Sequence, residues 1–168
     1  MTGAELVAKW LADKEIKHAF GIIGGGNVCL WDAITRADYT DLICCHHEQA
    51  AAMAATYYYR TCGRLALTLV TTGAGSTNAC TGVMAAWMDS IPLLVISGNE
   101  ASKYYEAGGR GFGFQGYKSA EVAKHFTKLA LSGPLVPSLL DSVLRVALEP
   151  RQGPVWLDFP KDLQSAVA

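Results

Sequence analysis

The sequence lacks the charge imbalance and the long apolar runs that identify several classes of protein. Its 168 residues carry 14 Lys and Arg against 15 Asp and Glu, a net charge of −1. It therefore lacks the excess of positive charge that is typical of proteins that bind nucleic acid or an anionic membrane surface. No apolar run is long enough to span a bilayer, and the N-terminus lacks the pattern of a signal peptide. We predict a cytosolic protein that binds neither nucleic acid nor membrane.

Metal-binding and disulfide patterns are also missing. The five cysteines are odd in number and form no Cys-x-x-Cys pair, which disfavours a zinc site or a disulfide framework and favours small reduced core residues. Hydrophobic residues make up 51% of the chain, charged residues 17%, and 17 residues are glycine. This composition is typical of a globular protein with a full core, and we predict a single domain over residues 1–168.

Continuous apolar runs alternate with helical patterns along the whole chain. Runs that are apolar on both faces, with helices between them, indicate a parallel sheet covered on both sides. We predict an α/β fold with a doubly wound, mostly parallel sheet of about six strands. The strands are expected at 18–22, 42–45, 65–71, 93–97, 128–131 and 154–159, and the main helices at 4–14, 27–34, 48–63, from about 76 to 88, 120–125 and 138–148.

Glu48 lies where a predicted strand runs directly into an alanine-rich helix. Open α/β folds bind their ligands at the C-terminal edge of the sheet, so this junction is a candidate site. An acid in the first turn of a helix is more often a solvated residue that complements the helix dipole, and spacing alone does not make Glu48 catalytic. His46 and His47 alternate in direction as the strand ends, and they supply too few ligands for a metal site.

Two loops that contain glycine, at 24–26 and 73–76, each precede a helix at the same edge of the sheet. The N–H groups of a helix N-terminus can hold a phosphate or a polar ring. Pattern alone favours simple strand-to-helix turns, because neither loop contains Gly-x-Gly-x-x-Gly or the lysine of a P-loop. A third glycine-rich stretch, at 108–116, is typical of a functional loop, with a plain connector as the alternative.

Short motifs follow one another in a specific order from one end of the chain to the other. They are Phe20-Gly21 with Gly24-Gly25, His47-Glu48-Gln49, Thr71 with Gly73, Gly75, Thr77 and Asn78, Met88-Asp89-Ser90-Ile91-Pro92, Phe114-Gln115, Gly153-Pro154-Val155 and Pro160-Lys161-Asp162. This colinear set resembles the N-terminal pyrimidine-binding (PYR) domain of the thiamine-diphosphate enzymes, most closely their acetolactate synthase branch.

The resemblance implies a cofactor, thiamine diphosphate, and a role for each matching residue. Glu48 aligns with the catalytic glutamate that hydrogen-bonds N1′ of the aminopyrimidine ring and exchanges a proton with it. The other implied residues are cofactor contacts at Gly24, Gly25, Ala74 and Asn78, and substrate-side residues at Phe114, Gln115 and His47.

Four positions depart from the family pattern. Ile23 and Ala74 stand where prolines are common, Ser76 where alanine is common, and Gly116 where the synthases carry glutamate. Because of the departure at Gly116, the acetolactate reaction does not follow from the resemblance. The resemblance therefore leaves open the substrate, the acceptor, and the choice between decarboxylation and carboligation.

The family binds Mg²⁺ and the diphosphate through a Gly-Asp-Gly motif in a second domain, and the sequence contains no Gly-Asp-Gly. The resemblance thus implies half an active site, completed by a diphosphate-binding (PP) subunit in a homodimer or heterotetramer. A fragment of a longer chain is the alternative. The start at Met1 and the end just after Lys161-Asp162 favour a natural subunit of a split enzyme.

We therefore expect the PYR part of a thiamine-diphosphate-dependent decarboxylase or carboligase, a lyase or transferase, that acts on a small 2-oxo acid. A non-catalytic scaffold and an unrelated nucleotide-binding domain are the alternatives. A scaffold needs no acid at the position of Glu48, so the presence of this glutamate argues against the scaffold alternative.

Tyr57, Tyr58 and Tyr59 are about 100° apart on a helix and cannot all face one core, so they predict an interface.

Overall fold

The centre of the molecule is a six-stranded sheet in which every neighbouring pair of strands is parallel. A computed structural model describes residues 1–106 and 116–167. The strand order is β2-β1-β3-β4-β6-β5. The strands are β1 (His18–Gly21), β2 (Asp41–Cys44), β3 (Leu67–Val70), β4 (Leu93–Asn99), β5 (Leu129–Ser132) and β6 (Pro154–Pro160). All six predicted strands are confirmed, with their ends within about two residues of the prediction.

Eight α-helices occur in the described residues, and the longer ones follow the predicted pattern. The helix predicted at 120–125 is split into a short α-helix and a 3-10 turn at Lys124–Phe126. Two five-residue helices, α5 and α8, had not been predicted because they are too short to show a helical period. The helices are α1 (Gly3–Asp13), α2 (Val28–Ala37), α3 (Glu48–Cys62), α4 (Ala74–Met88), α5 (Ser102–Glu106), α6 (Ser119–Ala123), α7 (Pro137–Leu148) and α8 (Lys161–Ser165).

Helices cover both faces of the sheet, which confirms the doubly wound fold. One core contains the buried side chains of α1, α2 and α7, among them Leu11, Leu30 and Leu140. The other core contains the small side chains of α3 and α4 together with Trp156 of β6. No helix in the described ranges combines the length and the apolar character needed to cross a membrane.

The connections on either side of β1 open a crevice at the C-terminal edge of the sheet. β1 lies between β2 and β3. The chain leaves β1 through α2 on one face and leaves β3 through α4 on the other face. Loops that diverge in this way create the crevice in which doubly wound folds bind ligands. The two glycine-containing loops and the start of α3 all lie at this edge.

Helices α3 and α4 approach each other closely because their facing residues are small. A Cβ atom added at Gly82 of α4 would lie 2.7 Å from the Cβ of Ala52 and 2.9 Å from the carbonyl oxygen of Gln49 in α3. The second of these is a backbone atom and cannot move without shifting the helix. The glycine therefore sets the distance between the two helices that carry Glu48 and Asn78.

This packing predicts that Gly82→Ala destabilises the protein, although alanine has the higher helix propensity. Propensity alone would stabilise the helix by about 1 kcal/mol. Overpacking of a closely packed interface costs about 1–3 kcal/mol, so we expect a net loss in the free energy of unfolding, measured by urea denaturation. Thr81→Ala, at an exposed position of the same helix, is the control and should change stability by no more than about 0.5 kcal/mol. Unchanged or increased stability of Gly82→Ala would contradict the prediction.

Candidate functional site

Glu48 is the first residue of α3, and its side chain is buried in the crevice rather than solvated. The residue is 8% exposed. The Nδ2 amide of Asn78 donates a hydrogen bond of 2.9 Å to Glu48 Oε2. Among the described residues no group donates to the other carboxyl oxygen, Oε1. The carboxyl group is thus held by one oxygen, and the other is available to a ligand.

The loop after β1 is closed by Asn27, which precedes α2. Asn27 Oδ1 accepts a hydrogen bond of 2.8 Å from the N–H of Gly24, and its Nδ2 donates to the carbonyl of Ile22 at 3.1 Å. The N–H of Gly26 donates to Thr71 Oγ1 at 3.1 Å. The loop is therefore fixed both internally and against the residue that follows β3.

The second glycine-containing loop packs on the same threonine. A Cβ atom at Gly75 would lie 2.8 Å from Thr71 Cγ2 and 3.3 Å from Glu48 Oε1, and one at Gly24 would lie 2.6 Å from Thr71 Cγ2. A side chain at either glycine would therefore clash with the threonine, and one at Gly75 would also crowd the carboxyl group. Both loops pack on Thr71, which the sequence patterns do not single out as a site residue.

Three further predicted site residues, Gly25, Ala74 and His47, are exposed. A Cβ atom at Gly25 would meet nothing within 4 Å, so this glycine lies on the open side. Ala74 is exposed at the first position of α4. His47 caps α3, because its Nδ1 accepts from the N–H of Gln49 at 3.2 Å. The predicted substrate-side residues Phe114 and Gln115 lie outside the described residues.

A buried acid close to the crevice was not found from the sequence. Asp158 of β6 is 0% exposed, and Asn99 Nδ2 donates to its Oδ2 at 2.8 Å. Burial raises the pKa of Asp158 to about 7, and the nearby donors Ser119, Asn99 and Ser97 limit this rise. The one signal for this residue is that it interrupts the otherwise apolar run at 154–159.

The arrangement permits proton exchange but offers no ligand set for a metal. Over residues 1–106 and 116–167, no group of three or more His, Cys, Asp and Glu side chains could hold a metal ion. A carboxyl oxygen without a donor can exchange a proton with a nitrogen of a bound ring. The crevice therefore suits a flat heterocycle that is bound against Glu48.

The raised pKa of Asp158 predicts a specific dependence of stability on pH. The pKa rises from 3.8 to about 7 on folding, so between these values the folded state holds a proton that the unfolded state has released. The contribution of Asp158 to stability should fall as the pH rises from about 4 to 7, by at most ~1.4 kcal/mol per pH unit.

Asp158→Asn provides the comparison because the amide does not titrate. The free energy of unfolding of the variant, relative to the wild type, should increase steadily from pH 4 to pH 7 in urea titrations. A difference that is constant over this range, or that changes in the opposite direction, would contradict the prediction.

The chain is similar in sequence to known proteins. Residues 1–126 match the family model of the thiamine pyrophosphate enzyme N-terminal TPP binding domain. The chain is 35% identical, over 97% of its length, to the acetolactate synthase isozyme 3 large subunit of Escherichia coli strain K12. It is 32% identical, over 99% of its length, to the mitochondrial acetolactate synthase of Schizosaccharomyces pombe.

The matched region is only part of each relative. The chain spans 28% of the length of the Escherichia coli protein and 25% of the length of the Schizosaccharomyces pombe protein. The family model covers most of this chain, from its first residue to the end of the 3-10 turn that precedes β5. The chain therefore belongs to the thiamine pyrophosphate enzyme family and contains the N-terminal TPP-binding domain of that family.

Proposed function

We propose that this chain is the PYR domain or subunit of a thiamine-diphosphate-dependent decarboxylase or carboligase that acts on a small 2-oxo acid. In this proposal Glu48 activates the aminopyrimidine half of the cofactor. The observation that carries the proposal is the state of its carboxyl group, which is buried, held by Asn78 through Oε2 and, among the described residues, without a donor at Oε1.

The residues of the crevice fit the aminopyrimidine ring. A flat ring needs a surface without projecting side chains, which Gly25 provides on its open side, and Gly75 lacks a side chain beside Oε1 of Glu48. Gly24 contributes indirectly, because the absence of a side chain there lets the loop pack on Thr71. Ala74 and Asn78 would complete the wall on the side of α4. When bound, thiamine diphosphate supplies a carbon nucleophile that adds to the 2-oxo group and an electron sink for the loss of carbon dioxide.

The protein's own contribution is to orient one carboxyl group and keep it away from water. The hydrogen bond from Asn78 restricts rotation of the Glu48 carboxyl, so the freedom lost on binding a ring is small. Asn78 is a neutral donor and therefore does not lock the carboxylate into an ion pair, as a lysine or arginine would. Oε1 can then exchange a proton with N1′ of the pyrimidine.

The Mg²⁺ ion and the diphosphate belong, in this proposal, to a diphosphate-binding (PP) subunit or domain. The sequence has no Gly-Asp-Gly motif. Mg²⁺ sites in proteins are built from several oxygen ligands, and over residues 1–106 and 116–167 no group of three or more His, Cys, Asp and Glu side chains could hold a metal ion. The substrate-side roles of His47, Phe114 and Gln115 remain part of the proposal. Membership in the family removes the unrelated nucleotide-binding domain as an alternative, while a scaffold that retained the fold is tested through Glu48.

An exposed apolar surface on α3 and α4 supports assembly with another chain. Tyr58 bonds His18 and Tyr59 bonds Gln152, and both are partly buried, whereas Tyr57 is 61% exposed. A groove between the two helices is lined in part by Met53, Tyr57 and Ala85, and the nearby α4 residues Met84 and Met88 are also exposed. We propose that this surface joins the chain to a second copy or to the PP subunit, in a homodimer or heterotetramer.

Glu48→Gln tests the catalytic proposal because it keeps size and hydrogen bonding but cannot exchange a proton. In the complex reconstituted with a PP chain, we expect hydrogen-to-deuterium exchange at C2 of the bound cofactor to slow by about 10²–10⁴-fold, the range for a lost general acid or base. The thermal unfolding midpoint should change little, since the amide occupies the same volume.

The matched control is Glu121→Gln, on the exposed surface of α6, where the glutamate pairs with Lys124. It should leave the exchange rate unchanged. If Glu48→Gln binds the cofactor, stays folded and exchanges at the wild-type rate, Glu48 is not the activating acid and the scaffold alternative gains support.

Tyr57→Asp tests the proposed assembly surface. A charge in the apolar centre of an interface opposes association, so we expect the variant to sediment at a lower mass than the wild type, alone or mixed with the PP chain. Val122→Asp, at a residue of α6 that is 43% exposed, is the control and should sediment as the wild type. A wild-type chain that remains monomeric under both conditions would refute the assembly proposal.

A further inference from the structure

Asn99, at the C-terminal end of β4, links four segments next to the crevice. Its Nδ2 donates to Asp158 Oδ2 and to the carbonyl oxygen of Tyr117, each at 2.8 Å. Its Oδ1 accepts from Thr72 Oγ1 at 2.9 Å and from the N–H of Glu100 at 2.8 Å. The asparagine is 1% exposed, and all four bonds are made inside the protein. The backbone of Tyr117 is therefore fixed to the sheet.

The side chain of Tyr117 reaches from this fixed backbone to the first turn of α4. Its hydroxyl oxygen lies 2.9 Å from Ser76 Oγ, and Ser76 is fully buried. Ser76 Oγ also donates to the carbonyl of Gly73 at 2.9 Å. A serine hydroxyl has one proton, so when it is used on Gly73 the tyrosine is the donor to Ser76. Burial raises the pKa of Tyr117 to about 12, which keeps this donor protonated.

The bond between Tyr117 and Ser76 acts on the helix turn that carries the partner of Glu48. Ser76 precedes Asn78 by two residues, and both lie in the first turns of α4. The side-chain bonds of Thr77 go to the carbonyls of Gly73 and Ala74, and so they tie the turn only to itself. The turn is anchored to the sheet edge by the Tyr117–Ser76 contact and by the bond from Thr72 to Asn99.

We propose that Tyr117 is a positioning residue of the site. Through Ser76 it fixes the first turn of α4, and so it holds the Asn78 amide against Oε2 of Glu48. The consequence for catalysis rests on the proposed function, whereas the control of the Asn78–Glu48 contact is a property of this chain and can be measured without cofactor.

Tyr117→Phe and Ser76→Ala each remove one hydroxyl group from this contact. In the full chain without cofactor, the side-chain NH₂ resonances of Asn78 should shift in both variants because the bond to Glu48 is lengthened. The double variant should show the same shift as Ser76→Ala, because that variant already lacks the contact with Tyr117 as well as the bond to Gly73. Tyr39→Phe removes a hydroxyl just before β2, at the opposite edge of the sheet, and should leave these resonances unchanged.

In the reconstituted complex, Tyr117→Phe should slow C2 exchange by roughly 10–100-fold, as expected for a small displacement of a catalytic group. Cofactor affinity should change far less. The proposal would be overturned if the Asn78 resonances stayed at the wild-type position in both folded variants. Tyr117 would then have only a structural role, even if the variants had a lower unfolding midpoint. The resonance measurement remains decisive if Glu48→Gln shows that the proposed function is wrong.

Discussion

The hydrogen bond of 2.9 Å between Asn78 and Glu48 joins two helices that follow different strands of the sheet. It forms only if α3 and α4 start at the same edge and cross at short distance. The parallel order of β2, β1 and β3 provides the first condition, and the lack of a side chain at Gly82 provides the second. The chemistry of the crevice thus depends on packing about one helix turn away from it.

Small residues around Glu48 have a second consequence, which is electrostatic. A buried carboxyl group needs hydrogen-bond partners to offset the loss of water. Here the described residues provide one hydrogen-bond partner, Asn78. Gly75, which lies beside Oε1, has no side chain that could provide a second partner. The group is therefore incompletely satisfied within the chain itself, which is the state expected of a residue whose remaining partner is a ligand.

Local patterns were sufficient for the fold and for the position of Glu48, but not for its surroundings. Each strand contains a run of apolar residues, so all six could be located. Asn78 and Gly75 lie beside Glu48 only because of the strand order, and a local reading of a first-turn acid indicates a solvated side chain. Asp158 had a weak local signal, and Asn99 and Tyr117 had none, because their roles arise from contacts between segments distant in the sequence. The role proposed for Glu48 came from the family resemblance rather than from spacing.

The position of Asp158 shows that this part of the fold is not optimised for stability alone. An acid in an interior strand of the sheet is costly to bury, as its raised pKa indicates, and its Oδ1 has no hydrogen-bond partner in the described part of the chain. Proteins break such rules mainly near functional sites. The oxygen that is bonded, Oδ2, accepts from Asn99, whose other bonds hold Thr72 and Tyr117 on either side of the start of α4. Replacing the acid by an apolar residue would leave a buried amide proton of Asn99 unpaired, at a cost of about 1–3 kcal/mol. The acid and the asparagine are therefore best understood as one unit, whose effect is to fix the helix that holds Glu48.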